Sequence, residues 1–209
     1  MKKRTLVLLL VVCVILPSAL SAAVVDLSLG ATAQYNQTLG SIKTDIDADD
    51  FDGMTDFDNY TFGADFRAKL LIAEVDVVAT FGKIDVLSSE YTEISALTTA
   101  GVSMDLLGFM RLGFGMGPRF RVLINEDGDS QIIAATGTVE DMDDFGNAFV
   151  NSPVAYRATV DFNLGSFMLG LNYTLDTDYT FKNASEVNDL FSADMDEGIV
   201  GVSLLFSLF

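Results

Sequence analysis

The chain has 209 residues and a formal net charge of −18, with 30 acidic and 12 basic residues, no His and one Cys. Half of its residues are apolar, and its 16 Phe and 6 Tyr exclude a disordered acidic protein, which would have few aromatic residues. The acidity argues against a nucleic-acid partner, because phosphate binding needs a basic surface. The lack of His removes the commonest general base and metal ligand, so we expect no enzyme.

The first 22 residues have the pattern of a cleaved secretory signal. Lys2, Lys3 and Arg4 precede an apolar run of 11 residues, 6–16, and small residues follow it. The run is shorter than the roughly 20 residues that a membrane-spanning helix needs. Export of residues 23–209 as one domain is therefore predicted.

The exported part alternates apolar and polar residues with a period of two, which is typical of strands that have two different faces. The clearest case is the stretch 110–122, where Leu112, Phe114 and Met116 alternate with glycines and arginines. Eight such segments are predicted as strands, at 25–35, 60–69, 74–82, 96–106, 110–122, 154–162, 167–175 and 199–209.

The links between these segments alternate between short and long. Short links are predicted near 70–73, 106–108 and 163–165, and long ones at 37–58, 83–94, 125–152 and 176–197. Short turns at one end and long loops at the other are typical of a transmembrane barrel. The predicted fold is all-β, an eight-stranded antiparallel up-and-down transmembrane β-barrel with short periplasmic turns, long external loops and both chain ends in the periplasm.

A soluble, lipocalin-like barrel has the same period with its faces exchanged, so that the apolar set would line a ligand cavity. Gly113, Gly115 and Gly117 argue against that arrangement, because glycines weaken a water-facing strand and suit a crowded lumen better. The membrane barrel is the preferred interpretation.

The signal segment, the hairpin layout and the final Phe209 resemble the small outer-membrane barrels of the OmpA-barrel, OmpX and OmpW type. The resemblance implies a monomer in the outer-membrane lipid, with Phe209 as the signal that the barrel assembly machinery recognises. The last strand departs from the family pattern, because Ser203 and Ser207 take the parity usually held by apolar residues while Leu204 and Phe206 take the other. Its register is therefore left open.

The polar face of the predicted strands carries equal numbers of basic and acidic residues. The basic ones are Arg67, Lys69, Arg111, Arg119, Arg121 and Arg157, and the acidic ones are Asp26, Asp65, Glu74, Asp76, Asp105 and Asp161. An eight-stranded barrel is just wide enough for side chains to fill, so we predict a lumen closed by ion pairs. The alternative is a narrow conduit in which Arg111, Arg119, Arg121 and Arg157 form an anion-attracting file.

The predicted long loops hold 24 acidic residues against three lysines. Such a surface favours divalent cations or basic partners. Asp45, Asp47 and Asp49 have the D-x-D-x-D spacing of a calcium loop, but the turn glycine and closing Glu of an EF-hand are missing. Calcium is the only candidate cofactor. The predicted function is structural or surface-interacting, through the acidic loops, and the alternative is a channel or passive transporter for small or apolar solutes.

Overall fold

The computed structural model describes residues 25–86, 89–125, 128, 130–133, 139–141 and 145–208. The predicted signal segment and Phe209 lie outside these residues. Among the described residues, no helix is both long enough and apolar enough to cross a membrane.

Eight long antiparallel strands form a closed ring. They are β1 (Val25–Thr38), β2 (Tyr60–Leu70), β3 (Ala73–Val86), β4 (Ser89–Leu106), β5 (Met110–Ile124), β8 (Pro153–Asn163), β9 (Phe167–Thr180) and β10 (Ile199–Ser207). Each strand pairs with the next one around the ring, and pairing of β1 with β10 closes it. The predicted eight-stranded up-and-down antiparallel barrel is confirmed.

The two ends of the barrel differ in their connections. At one end, tight turns at 71–72, 107–109 and 164–166 join neighbouring strands. Leu71, Gly108 and Gly165 adopt positive φ angles of 58°, 74° and 83° there, a conformation that reverses the chain within two or three residues. We call this the turn end and the opposite one the loop end.

The connections at the loop end contain short elements of their own. The first holds α1 (Leu39–Asp47), α2 (Asp52–Thr55) and a 3-10 turn (Phe57–Asn59), and the Thr38 hydroxyl caps α1 by accepting from the Ser41 amide at 3.2 Å. The third holds β6 (Ser130–Ile133), β7 (Val139–Asp141) and α3 (Phe145–Asn151), with β6 paired to the outer part of β5. The last holds 3-10 turns at Val187–Phe191 and Met195–Glu197.

Two of the predicted long loops have the wrong bounds. The stretch 83–94 is mostly strand, because β3 and β4 stay paired out to Val86 and Ser89. Likewise, β9 continues to Thr180, so the last loop starts five residues later than the predicted 176. In both places the added residues are mainly polar, so the alternation of polar and apolar residues that marks the other strand segments is weak there.

A soluble protein buries apolar side chains and exposes charged ones, and the barrel wall has the opposite arrangement. Arg67 and Arg157, inside, are each 1% exposed, whereas the outward Phe114 and Val102 are 54% and 55% exposed. The same division holds in the last strand, where Ser203 and Leu205 point inward and Leu204 and Phe206 outward. The register of β10 that the sequence left open is thereby settled, with Ser203 opposite Thr32.

Candidate functional site

The inner face of the barrel carries three groups of charged side chains, stacked from the turn end to the loop end. All twelve charged residues of the predicted polar face lie on this inner face, within β1, β2, β3, β4, β5 and β8. Period-two strands put them there because every second residue of a barrel strand points inward.

The turn-end cluster comprises Asp26, Lys69, Asp105 and Arg111. Arg111 donates through Nη2 to Asp26 at 2.5 Å and through Nε to Asp105 at 2.7 Å. Lys69 donates to the other oxygen of Asp105. Two cations and two carboxylates thus neutralise each other at this end.

The central cluster comprises Asp65, Arg67, Asp76, Arg157 and Asp161, and it is the most deeply buried of the three. Arg67 binds Asp65 through Nη2 at 2.9 Å and Asp161 through Nη1 at 2.6 Å. Arg157 binds Asp76 through Nε at 2.6 Å and Asp65 through Nη2 at 3.1 Å. These bonds tie β2, β3 and β8 together across the lumen.

Uncharged partners complete the central cluster. The Ser203 hydroxyl donates to Asp65 at 2.7 Å, and Arg157 Nη1 donates to Asn172 and Thr174, each at 3.2 Å. Asp65 and Asp161 are fully buried. Such charges are tolerated inside a protein only when ion pairs and hydrogen bonds replace their water.

The loop-end cluster comprises Glu93, Arg119, Arg121 and Asp176. Arg119 binds Asp176 at 3.2 Å, and Arg121 binds Glu93 at 2.5 Å. Both carboxylates were predicted to lie in the loops 83–94 and 176–197, so neither was assigned to the lumen. Extending the alternation of β4 and β9 by a few residues would have found them.

Among the residues that the structure describes, the inner face therefore holds eight carboxylates against six cations. Each arginine of the proposed anion-attracting file has a carboxylate within 3.2 Å, so the four do not form an uncompensated positive file. Glu74 is buried, and within the described residues it takes part in no ion pair. It lines a cavity of about 10 Å³ with Asp76 and Thr159, close to the space that one water molecule needs.

Glycines on the inner face leave room for the side chains that fill the lumen. A Cβ added at Gly113 would lie 2.5 Å from the Thr159 hydroxyl oxygen, and one at Gly170 would lie 2.4 Å from Oδ1 of Asp161. No side chain fits at either position without displacing a neighbour. The glycines that favoured a membrane barrel in the sequence thus face a crowded interior.

The proposed calcium ligands lie at the loop end, outside the lumen. Asp45 and Asp47 belong to α1. Residues two apart in an α-helix are rotated by about 200° about the helix axis, so these two side chains point to nearly opposite sides. Asp49 follows the helix with a φ of 55°. In the part of the chain that the structure describes, no three acidic residues are grouped so that they could hold a metal ion, and the calcium site stays a prediction.

An ion pair joins the first and last loops. Lys43 in α1 donates to Asp196 in the last 3-10 turn, and both side chains are exposed. The hydrogen bond from Lys43 to Asp196 raises the pKa of the lysine above its usual value. Lys83 pairs in the same way with Glu90 at 2.8 Å on the β3–β4 hairpin.

Of the three comparisons with known proteins, the one with solved structures found similar proteins. No protein-family model matches the chain, and no curated protein matches its sequence. Among solved structures, the barrel is similar to Ail, the attachment invasion locus protein of Yersinia pestis, solved in complex with the heparin analogue sucrose octasulfate. The two are 14% identical over 88% of this chain and 95% of Ail, with a TM-score of 0.40.

Proposed function

We propose that the chain is a monomeric, non-enzymatic outer-membrane barrel that is closed to solutes and acts at the cell surface through its acidic loops. The single observation that carries this proposal is the reversed burial of the wall, with charged side chains inside and large apolar ones outside. Water would solvate the charged face and avoid the apolar one, so this arrangement is favourable only when lipid surrounds the barrel. A tilted strand needs about 9–11 residues to cross a bilayer, and each of the eight strands of the ring has at least nine.

A closed lumen follows from the same side chains. Three ion-pair clusters occupy successive levels of the barrel, and moving an ion past them would break contacts of 2.5 to 3.2 Å between buried charges. Planar-bilayer recording of the refolded protein tests this part. We expect no discrete conductance, and reproducible single-channel steps would favour the conduit instead.

The acidic loops favour a cationic partner. The first loop, residues 39–59, contains seven acidic residues and one basic residue, Lys43, which is already paired with Asp196. The excess negative charge is solvent-exposed and attracts basic peptides or divalent cations over a distance of about one Debye length. This surface, rather than the lumen, is available to partners.

Binding of a fluorescent oligolysine peptide to intact cells tests the loop assignment. We expect the triple variant Asp45→Asn, Asp47→Asn, Asp49→Asn to bind less peptide than the charge-conserving control with Glu at all three positions. The difference should shrink at high salt. Equal binding by the two variants would contradict the assignment, and calorimetric titration of the same pair with calcium tests the calcium prediction.

Location and orientation are tested separately. The protein should be recovered with the outer membrane and should migrate differently on detergent gels before and after boiling. Protease added to intact cells should cut within residues 125–152. Recovery in the soluble periplasmic fraction would favour the lipocalin-like alternative, and protection of these residues in outer-membrane protein would reverse the orientation.

A further inference from the structure

A groove of about 530 Å³ lies on the outer wall of the barrel at the loop end, across β8, β9, β10 and β1. Its floor is one row of paired residues on four neighbouring strands, Val160, Leu171, Val202 and Ala33. The lining is almost entirely apolar, and the volume lies within the range of small-molecule sites. We refer to it as the rim groove.

A break in strand pairing lies beside the rim groove. Gln34 of β1 pairs with Gly201 of β10, but the next paired residue, Thr38, faces Ile199, so β1 has two more residues than its partner here. Such a bulge bends the strand and changes the direction of its side chains. Tyr35 lies within the bulge, next to Tyr60 with ring centroids 5.0 Å apart.

The first loop folds back over this part of the wall. Ile42 of α1 and Met54 of α2 line the groove, so its loop-end boundary is formed by protein rather than by solvent. Tyr35 is only 5% exposed as a result, although it lies on the outward face of β1. The groove is therefore closed towards the loops and open along the wall.

The hydroxyl of Tyr35 has no hydrogen-bond partner within the described residues. The two other tyrosines of the groove are satisfied, since Tyr60 donates to the Met54 carbonyl at 2.8 Å and Tyr173 donates to the Met195 carbonyl. A Cβ added at Gly53 would lie 3.1 Å from the Tyr35 hydroxyl, so the loop leaves only limited space beside it. A buried hydroxyl without a partner is unfavourable. Because its oxygen is inaccessible to solvent in this arrangement, a polar atom of a ligand would reach it by displacing the first loop at Gly53.

We propose that the rim groove binds one acyl chain of an outer-leaflet lipid, with the Tyr35 hydroxyl bonded to a carbonyl or hydroxyl oxygen of that lipid. This inference rests on the proposed membrane location. The floor is continuous with the outward apolar wall, where Leu171 is 50% and Val202 is 45% exposed, so lipid has direct access to it. The described residues that line the groove include no lysine or arginine, which favours recognition of the chain and its first oxygen over recognition of a phosphate.

Native mass spectrometry of the full protein, released from detergent after incubation with a diacyl phosphatidylethanolamine, tests the proposal. The groove-filling variant Ala33→Phe has a matched control in Ala31→Phe, two residues away on the same outward face of β1. We expect wild type and Ala31→Phe to retain one lipid, and Ala33→Phe to retain at least tenfold less. Tyr35→Phe should weaken retention about fivefold, as expected for one lost hydrogen bond.

Equal lipid retention by Ala33→Phe and Ala31→Phe would overturn the proposal. It would also be overturned if wild type showed the mass of a dimer and Ala33→Phe did not, because the groove would then bind a second copy of the chain. Heat-modifiable migration identifies variants that fail to fold. Should Ala33→Phe be one of them, Val202→Phe with its control Leu204→Phe on β10 repeats the test. Recovery of wild type outside the outer membrane would refute the proposed function, whereas equal retention in outer-membrane protein refutes only the lipid site.

Discussion

Replacing Arg67 by methionine removes the guanidinium at the centre of the lumen and keeps most of the side-chain volume. Arg67 is 1% exposed and binds Asp65 at 2.9 Å and Asp161 at 2.6 Å. Asp65 keeps a second partner in Arg157 at 3.1 Å. Asp161 has no second ion-pair partner within the described residues, so the variant leaves it buried and uncompensated.

The expected loss follows from this uncompensated charge. Removing one partner of a buried ion pair typically costs about 3–5 kcal/mol, and we expect Arg67→Met to lower the free energy of unfolding by that amount. Urea unfolding in lipid vesicles, followed by tyrosine fluorescence and heat-modifiable migration, measures it, because the chain contains no Trp to obscure the tyrosines. The second substitution Asp161→Asn should restore part of the loss.

Arg121→Met is the matched control, since Arg121 is partly exposed at the loop end and has one close partner, Glu93 at 2.5 Å. We expect it to cost less than Arg67→Met, about 1.5–3 kcal/mol, the range of a hydrogen bond to a charged group. A loss below about 1 kcal/mol for Arg67→Met, or no recovery on adding Asp161→Asn, would contradict a central cluster that is dry and held together by mutually compensating charges.

Three further outcomes are expected from the same structure. Gly170→Ala should destabilise the barrel by about 1–3 kcal/mol in urea unfolding, because the added methyl group overlaps Oδ1 of Asp161 at 2.4 Å; unchanged stability would show that the lumen can yield. Glu74→Gln should leave stability unchanged or higher by about 1 kcal/mol, because no ion pair within the described residues is lost with the buried charge; a loss comparable to that of Arg67→Met would contradict this. Asp196 raises the pKa of Lys43. The contact between the first and last loops should therefore persist as pH rises past the usual lysine range and be lost only when pH passes the raised pKa. NMR titration of the Lys43 ammonium checks this, and titration at the ordinary lysine value would contradict it.

Strand faces were predictable because they depend only on local geometry. In the stretch 110–122, inward Arg111 and outward Leu112 are assigned by alternation alone, and the same rule assigns most of the lumen charges. Strand ends were less predictable where hydrophobicity falls. Glu93 and Asp176 were therefore assigned to loops, although both belong to paired strands and bind arginines of the lumen.

The amino-acid sequence by itself determined that the chain forms a period-two barrel with charged residues on one face and apolar residues on the other. It could not determine which charges meet, because Arg67 and Asp161 are 94 residues apart and come together only when the ring closes. The rim groove likewise lies beside a bulge in β1 and is bounded by a loop, and no local pattern encodes either of them. Side-chain direction is a property of the strand, whereas register, closure and loop packing are long-range interactions, and these decided both the ion-pair partners and the proposed lipid site.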